Sequence, residues 1–446
     1  MTPSQKFTLS CRQTGEAAGR LLDWLRANPT LLGLGHAAVC HDIEHMSARL
    51  APLAAAAESA PVIGLVGAMG AGKTDVLFEL LGVRVPTSVG ELGPRPIEAS
   101  TIRALLPDED VSGRCAIVRF SARDLPAAPR GFPIRIGLLT MVEIAAILAS
   151  AAFGRIADRR RTMDFVDTID ALFADVSERL SPQAVAGLCE RDVLDLQTTL
   201  EASWPDHDTL NDLAASRYWE RFRDVAGHLT DRDRRLVLAK LWRNDRALTV
   251  LFGKLCEGID TLGQGVEAYC SSEALLGKDK TSGWITRHPR SIIDAATLAS
   301  LDQAPVAVLT LMNRYGQAVD VDRAVVAALI CELPLHLGTS RLNELAPADI
   351  FDFPTPPMGL ATPTDVAAGA GQSAVTLTDA VAAFAQAKSV FLFDRACERR
   401  DVTSVVVVVN PTLEDDTFAA SLGDWVESAQ GITAHARERV WTGVQF

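Results

Sequence analysis

The chain has 446 residues, 48% of them hydrophobic and 22% charged, which is the balance of a folded globular protein and excludes a disordered one. That length exceeds one ordinary core and implies two or three compact units. A formal net charge of -13 argues against general adhesion to nucleic acid or anionic lipid, because both need a basic surface.

The first 60 residues carry apolar side chains at helical spacing, as at Leu21, Leu22, Trp24 and Leu25 and again at Ile43, Met46, Leu50 and Leu53. Pro29 and the Gly33/Gly35 pair interrupt them, so residues 1–60 read as a short N-terminal helical segment. The opening, MTPSQKFTLSCRQTGEAAGR, has no apolar core behind a basic tip and is not read as a secretory signal. His41 to His45 fits H-x-x-E-H, an inverted zinc-protease pattern, but five residues with no further ligand in view do not make a metal site.

After Pro61 the text becomes strand, loop and helix, over 62–66, 67–72 and 73–81. Gly67, Ala68, Met69, Gly70, Ala71, Gly72, Lys73 and Thr74 satisfy G-x-x-x-x-G-K-[ST] in full. In that pattern the glycines turn backbone N–H groups toward phosphate oxygens, Lys73 reaches the β and γ phosphates, and the Thr74 hydroxyl joins a Mg²⁺ shell. The expected ligand is GTP or ATP with Mg²⁺, and Asp75, next after the motif, is grouped with the nucleotide-binding residues. Extended candidates follow at 115–120 and 134–139, so 61–140 reads as the first part of a P-loop NTPase core.

Over 141–300 apolar residues mostly recur every three or four positions, with Arg, Asp and Glu on the other faces, which predicts a large α-helical insertion. Its stretch TDRDRRLVLAK reads as a solvated helix start. Strand-like text returns at 306–312, 324–329, 349–353 and 403–409, and 301–446 reads as the second part of the core. The run SVVVVVN, apolar on both faces, predicts a buried central strand of a parallel sheet. Helices are expected over 377–400 and 417–429, and a loop over 354–371. The fold class is therefore α/β: a P-loop NTPase core with a mostly parallel sheet, the helical insertion and the N-terminal helices.

Such an enzyme needs a second carboxylate at the end of another strand to hold the metal. Asp352 in ADIFDFPTPP is the candidate, with Asp349 read as a strand-entry residue on the surface. The catalytic set is then Lys73, Thr74 and Asp352, with Thr74 and Asp352 as metal ligands. A hydroxyl closing over the γ phosphate would come from Thr87, Ser88, Ser100, Thr101 or Ser112. The eight cysteines have no C-x-x-C pair and read as reduced thiols. The longest apolar runs fall short of the roughly 20 residues a spanning helix needs, so the reading is a cytoplasmic protein without an integral membrane segment.

Four stretches in order resemble one family. LLPDEDVSGRCAIVRFSARD with FPIRIGLLTMVEIAAILASAAFG, then ELAPADIFDFPTPP, then AFAQAKSVFLFDRACERRDVTSVVVVVNP look like the corresponding segments of SrfC-like bacterial virulence factors. The resemblance covers most of residues 62–425 and implies a dynamin-like P-loop NTPase whose core is interrupted and extended by helices. It supports Gly67, Gly72, Lys73 and Thr74 as the phosphate loop and Asp352 as the switch carboxylate. It also selects Ser112, which falls where the family has a threonine before Gly113. Thr355 departs from the family's glycine after Asp-Phe-Pro. The chain ends at WTGVQF, before the relatives' base-reading TKFD element, so it reads as a shortened member or one whose remainder lies on another chain. The implied activity is a nucleotide-driven conformational switch; the alternative is a nucleotide-binding scaffold that assembles with companion virulence proteins, as an oligomer or with partners.

Overall fold

In a computed structural model, the described residues are 3–30, 36–48, 50–58, 61–67, 72–81, 105–106, 113–121, 123, 126–154, 163–278, 285–304, 307–336, 348–354, 376–399 and 401–408. The N-terminal segment forms three helices, α1 (Pro3–Ala27), α2 (His36–Ala48) and α3 (Leu50–Glu58). α1 packs on the other two, and the ion pairs Arg12–Glu58 and Arg26–Glu44 tie it to them. Glu44 also pairs with Arg223, so the acidic residue of H-x-x-E-H is held by two guanidiniums. No group of metal-binding side chains occurs among the described residues.

The strand and helix that flank the glycine motif are present as β1 (Val62–Gly67) and α4 (Lys73–Leu80). β2 (Ile117–Ser121) and β3 (Ile134–Leu138) follow. A run of helices then covers α5 (Met141–Phe153), α6 (Met163–Ser177), α7 (Glu190–Ser203), α8 (Asp208–Ala215), α9 (Tyr218–Val225), α10 (Asp231–Leu238) and α11 (Arg246–Thr261). α5 starts at a capping box, with Thr140 and Glu143 bonding each other's backbone N–H. Ten of its thirteen residues are buried, as expected of a helix that is apolar nearly all round. The TDRDRR stretch differs from its solvated reading. Thr230 caps α10, but Asp233 and Arg234 are buried, and Arg234 donates to the carbonyls of Ala186 and Val185. The charge is stabilised inside because backbone acceptors from a distant loop meet the planar guanidinium.

The helical stretch expected over 141–300 ends at Thr261, because the chain then returns to sheet with β4 (Glu267–Cys270) and with the separate antiparallel pair β5 (Leu276–Lys278) and β6 (Ile285–Arg287). α12 (Ala295–Ala299), β7 (Val308–Met312) and β8 (Ala318–Asp322) follow. The β7–β8 turn is set by Asn313, whose Oδ1 accepts from the backbone N–H of Tyr315 and Gln317, and by Gly316 at φ 74°. Residues 324–329, expected as a strand, are helix α13 (Arg323–Leu329). The Asp322 side chain caps it by accepting from the Ala324 N–H, and a short apolar run does not by itself tell a buried helix from a buried strand. β9 (Ile330–His336), β10 (Asp349–Asp352), α14 (Leu377–Glu398) and β11 (Ser404–Val408) complete the elements.

Nine strands form one sheet in the order β11-β1-β10-β2-β9-β3-β4-β7-β8. It is mixed and mostly antiparallel, which corrects the parallel expectation. β1 runs parallel to β10 and β11, and β2 to β9. The other five neighbouring pairs are antiparallel. The valine run corrects a second expectation. β11 pairs with β1 alone, at the end of the described sheet, and its residues 405–407 are half-buried instead of enclosed on both faces. The region expected as a helix over 417–429 and most of the loop over 354–371 lie outside the described residues. The eight cysteines form no disulfide, and five are buried.

Candidate functional site

Parallel pairing of β1 with β10 sets Leu65 beside Asp352, so the strand that enters the glycine loop and the strand that ends in the predicted carboxylate finish at the same edge. The Phe353 N–H donating to the Leu65 carbonyl at 3.2 Å extends that pairing. Two glycines at the loop ends are demanded by backbone geometry. A Cβ on Gly67 would lie 2.8 Å from the Val408 carbonyl oxygen of β11. Gly72 holds φ at 80°, a left-handed turn immediately before α4 that other residues adopt only with strain.

Lys73 opens α4 and turns inward. It is fully buried, donates to the Phe353 carbonyl at 2.8 Å and lies 3.7 Å from an Asp352 carboxylate oxygen. Asp352 is also fully buried, and Arg114 grips it through both guanidinium nitrogens, with the Nη2–Oδ1 contact at 3.0 Å and a closer one from Nη1 to Oδ2. The fork geometry of Arg makes this a strong, directional pair. Sequence reading missed Arg114. Its position follows from the strip over residues 113–115, which is hydrogen-bonded to residues 293–295 through Cys115 N–H to Ile293 and Ala295 N–H to Gly113. Near it Arg287, paired with Asp294, is brought down to about 10, first by burial and then by the charge of Arg114.

The Thr74 hydroxyl oxygen is buried and has no hydrogen-bond partner among the described residues, while Asp75 is exposed in the first turn. Ala68, Met69, Gly70, Ala71 and Ser112 lie outside the described residues, as do Thr87, Ser88, Ser100, Thr101 and Thr355. Asp349 corrects its surface reading: it is 1% exposed and accepts from Arg119 Nε at 2.9 Å and from Arg123 at 3.0 Å. Thus Lys73, Arg114 and Asp352 come together, with Thr74 next in sequence on the same helix end.

The buried Thr74 hydroxyl is an oxygen donor of the kind a hard cation takes, while the Asp352 carboxylate is held by Arg114 and Lys73. These features define an α/β protein with a nine-stranded mixed sheet in which a buried lysine and a carboxylate meet at the C-terminal edge of adjacent parallel strands. The chain belongs to the putative bacterial virulence factor family, whose model matches residues 22–446. Comparison with curated proteins gives no match. No helix among the described residues is long and apolar enough to cross a membrane.

Proposed function

We propose that this virulence-factor-family chain is a P-loop NTPase that binds GTP or ATP with Mg²⁺ and uses the nucleotide as a conformational switch. The observation that carries the reading is the Lys73 ammonium, buried 3.7 Å from Asp352, between a glycine loop and the end of a neighbouring parallel strand. Ligands of open α/β sheets sit outside the carboxyl ends of strands, and Gly67 and Asp352 both lie there.

Lys73 would exchange its Phe353 carbonyl and Asp352 contacts for phosphate oxygens. The Thr74 hydroxyl would ligate the metal, and Asp352 would orient its bound water. Mg²⁺ supplies neutralisation of the charge that develops on the phosphates. Arg114 stands opposite Asp352, so nucleotide loading and release of the Arg114 grip are coupled through one carboxylate. That coupling is the switch, with residues 113–115 as its output because they are laced to residues 293–295.

The second reading is a scaffold that binds nucleotide without hydrolysis and assembles with companion virulence proteins. It is favoured by Thr355 in place of the family's glycine and by the two-pronged hold of Arg114 on Asp352. Titration with fluorescent GTP and ATP analogues, with and without Mg²⁺, tests both, since neither analogue binding would sink them together. Phosphate release that disappears in Lys73→Ala supports the enzyme. Retained binding without release selects the scaffold.

A further inference from the structure

A cleft of about 510 Å³ lies away from the glycine loop; neither Lys73, Thr74 nor Asp352 lines it. Its size falls inside the roughly 300–1,000 Å³ range of small-molecule sites. β3 and β9 pair at only two positions, with a register shift between them, and both strands contribute lining residues there. Five arginines reach the cleft from three stretches of chain: Arg119 and Arg123, Arg135, and Arg395 with Arg399. In a chain of net charge -13 this is a local reversal of sign.

The carboxylates around the cleft are shared unevenly among these cations. Asp349 is shared by Arg119 and Arg123, and Glu143 by Arg395 and Arg399. Glu332 adds to Arg119, and Glu267 pairs with Arg135. Asp401 also lies in the field of Arg399, Arg395 and Arg119, and Asp195 in that of Arg399, so carboxylates behind the cleft match the five guanidiniums, while only Glu143 and Glu332 line it with them. Arg123 and Arg399, the outer member of each shared pair, are 49% exposed and each spends one nitrogen on its carboxylate. A guanidinium has five N–H donors, so each keeps donors for an incoming oxyanion. Arg119 is braced over the Phe351 ring, 5.4 Å from its centre.

We infer that this cleft binds a compact polyanion whose phosphate or carboxylate groups are gripped by Arg123 and Arg399 on its two sides. Asp349 and Glu143 hold the inner arginines in place, and the outer arginines give specificity for planar or tetrahedral oxyanions, as forked donors do. The site is independent of the glycine loop and stands whether or not the chain binds nucleotide.

Calorimetric titration of the full chain with tripolyphosphate and, separately, with citrate at low salt tests the site. Saturable binding of at least one probe is expected, retained in Lys73→Ala, unchanged by Arg130→Ala on the exposed turn outside the cleft, and weakened at least about tenfold in Arg123→Ala/Arg399→Ala, since charge-assisted hydrogen bonds are lost. Should that double variant lose its circular dichroism signature, Arg123→Lys/Arg399→Lys keeps the charge but removes the fork, and weakening of several-fold is expected. Stronger binding of tripolyphosphate assigns a phosphate ligand, and stronger binding of citrate a carboxylate one. No saturable binding of either probe, loss of binding in Lys73→Ala, or equal binding by folded cleft variants and wild type overturns the assignment.

Discussion

Asp352 is the residue on which the candidate nucleotide site turns, because a fully buried carboxylate needs partners and here takes Arg114 and Lys73. Removing one member of a buried pair leaves the other charge uncompensated and typically costs about 3–5 kcal/mol. Arg114→Ala is therefore expected to lower stability by an amount of that order, read as a shift in the urea midpoint. Arg114→Ala/Asp352→Asn should recover part of the loss, because no buried carboxylate is then stranded. Equal midpoints for wild type and Arg114→Ala would mean that the grip contributes nothing. That Lys73 opens a helix and Asp352 ends a strand was legible in the sequence because a loop motif and a strand-ending acid are local patterns. Arg114 was not, since its partner lies 238 residues away and no spacing rule joins them.

Among the elements, α11 and α13 meet at Gly258, where a Cβ would fall 2.5 Å from a Val325 methyl. Gly258→Ala should force the helices apart at a cost of about 1–3 kcal/mol, the usual penalty of overpacking, visible in thermal melts without loss of helical signal. α14 carries a pH response. Burial, followed by the charge of Glu398, raises Asp394 to about 7. Its folded value exceeds its unfolded one, so the folded state holds the proton more tightly, and this group's contribution is full in acid and lost as pH rises from about 4 to about 7. Urea midpoints at pH 5 and pH 8 should thus fall less with rising pH in Asp394→Asn than in wild type; identical slopes would remove Asp394 as the cause. The helices were legible from their periodicity. The error at 324–329 arose because AVVAAL is apolar throughout, and only the Asp322 cap decides for helix.

For the whole molecule, a nucleotide that binds the folded chain and not the unfolded one stabilises it by mass action, by about 2.7 kcal/mol at a hundredfold excess over Kd. Mg²⁺ with GTP or ATP is expected to raise the melting temperature of the wild type and leave Lys73→Ala unmoved. A rise of the same size in both would place the ligand elsewhere.

By itself the sequence determined where the strands β1, β2, β3, β7, β10 and β11 lie, that helices dominate from Met141 to Thr261 though not through the expected 300, and that a strand, a glycine motif and a helix stand in line at residues 62–81. Those are properties of neighbours along the chain: alternation, helical period and turn chemistry. Only the tertiary structure decided that five of the eight strand neighbours run antiparallel, that the valine run stands at the end of the described sheet, that Asp349 is buried, and that five arginines share one cleft. Strand direction and order depend on how long connections return to the sheet, and burial of a charge depends on partners tens to hundreds of residues away. Neither leaves a periodic trace in the residues themselves.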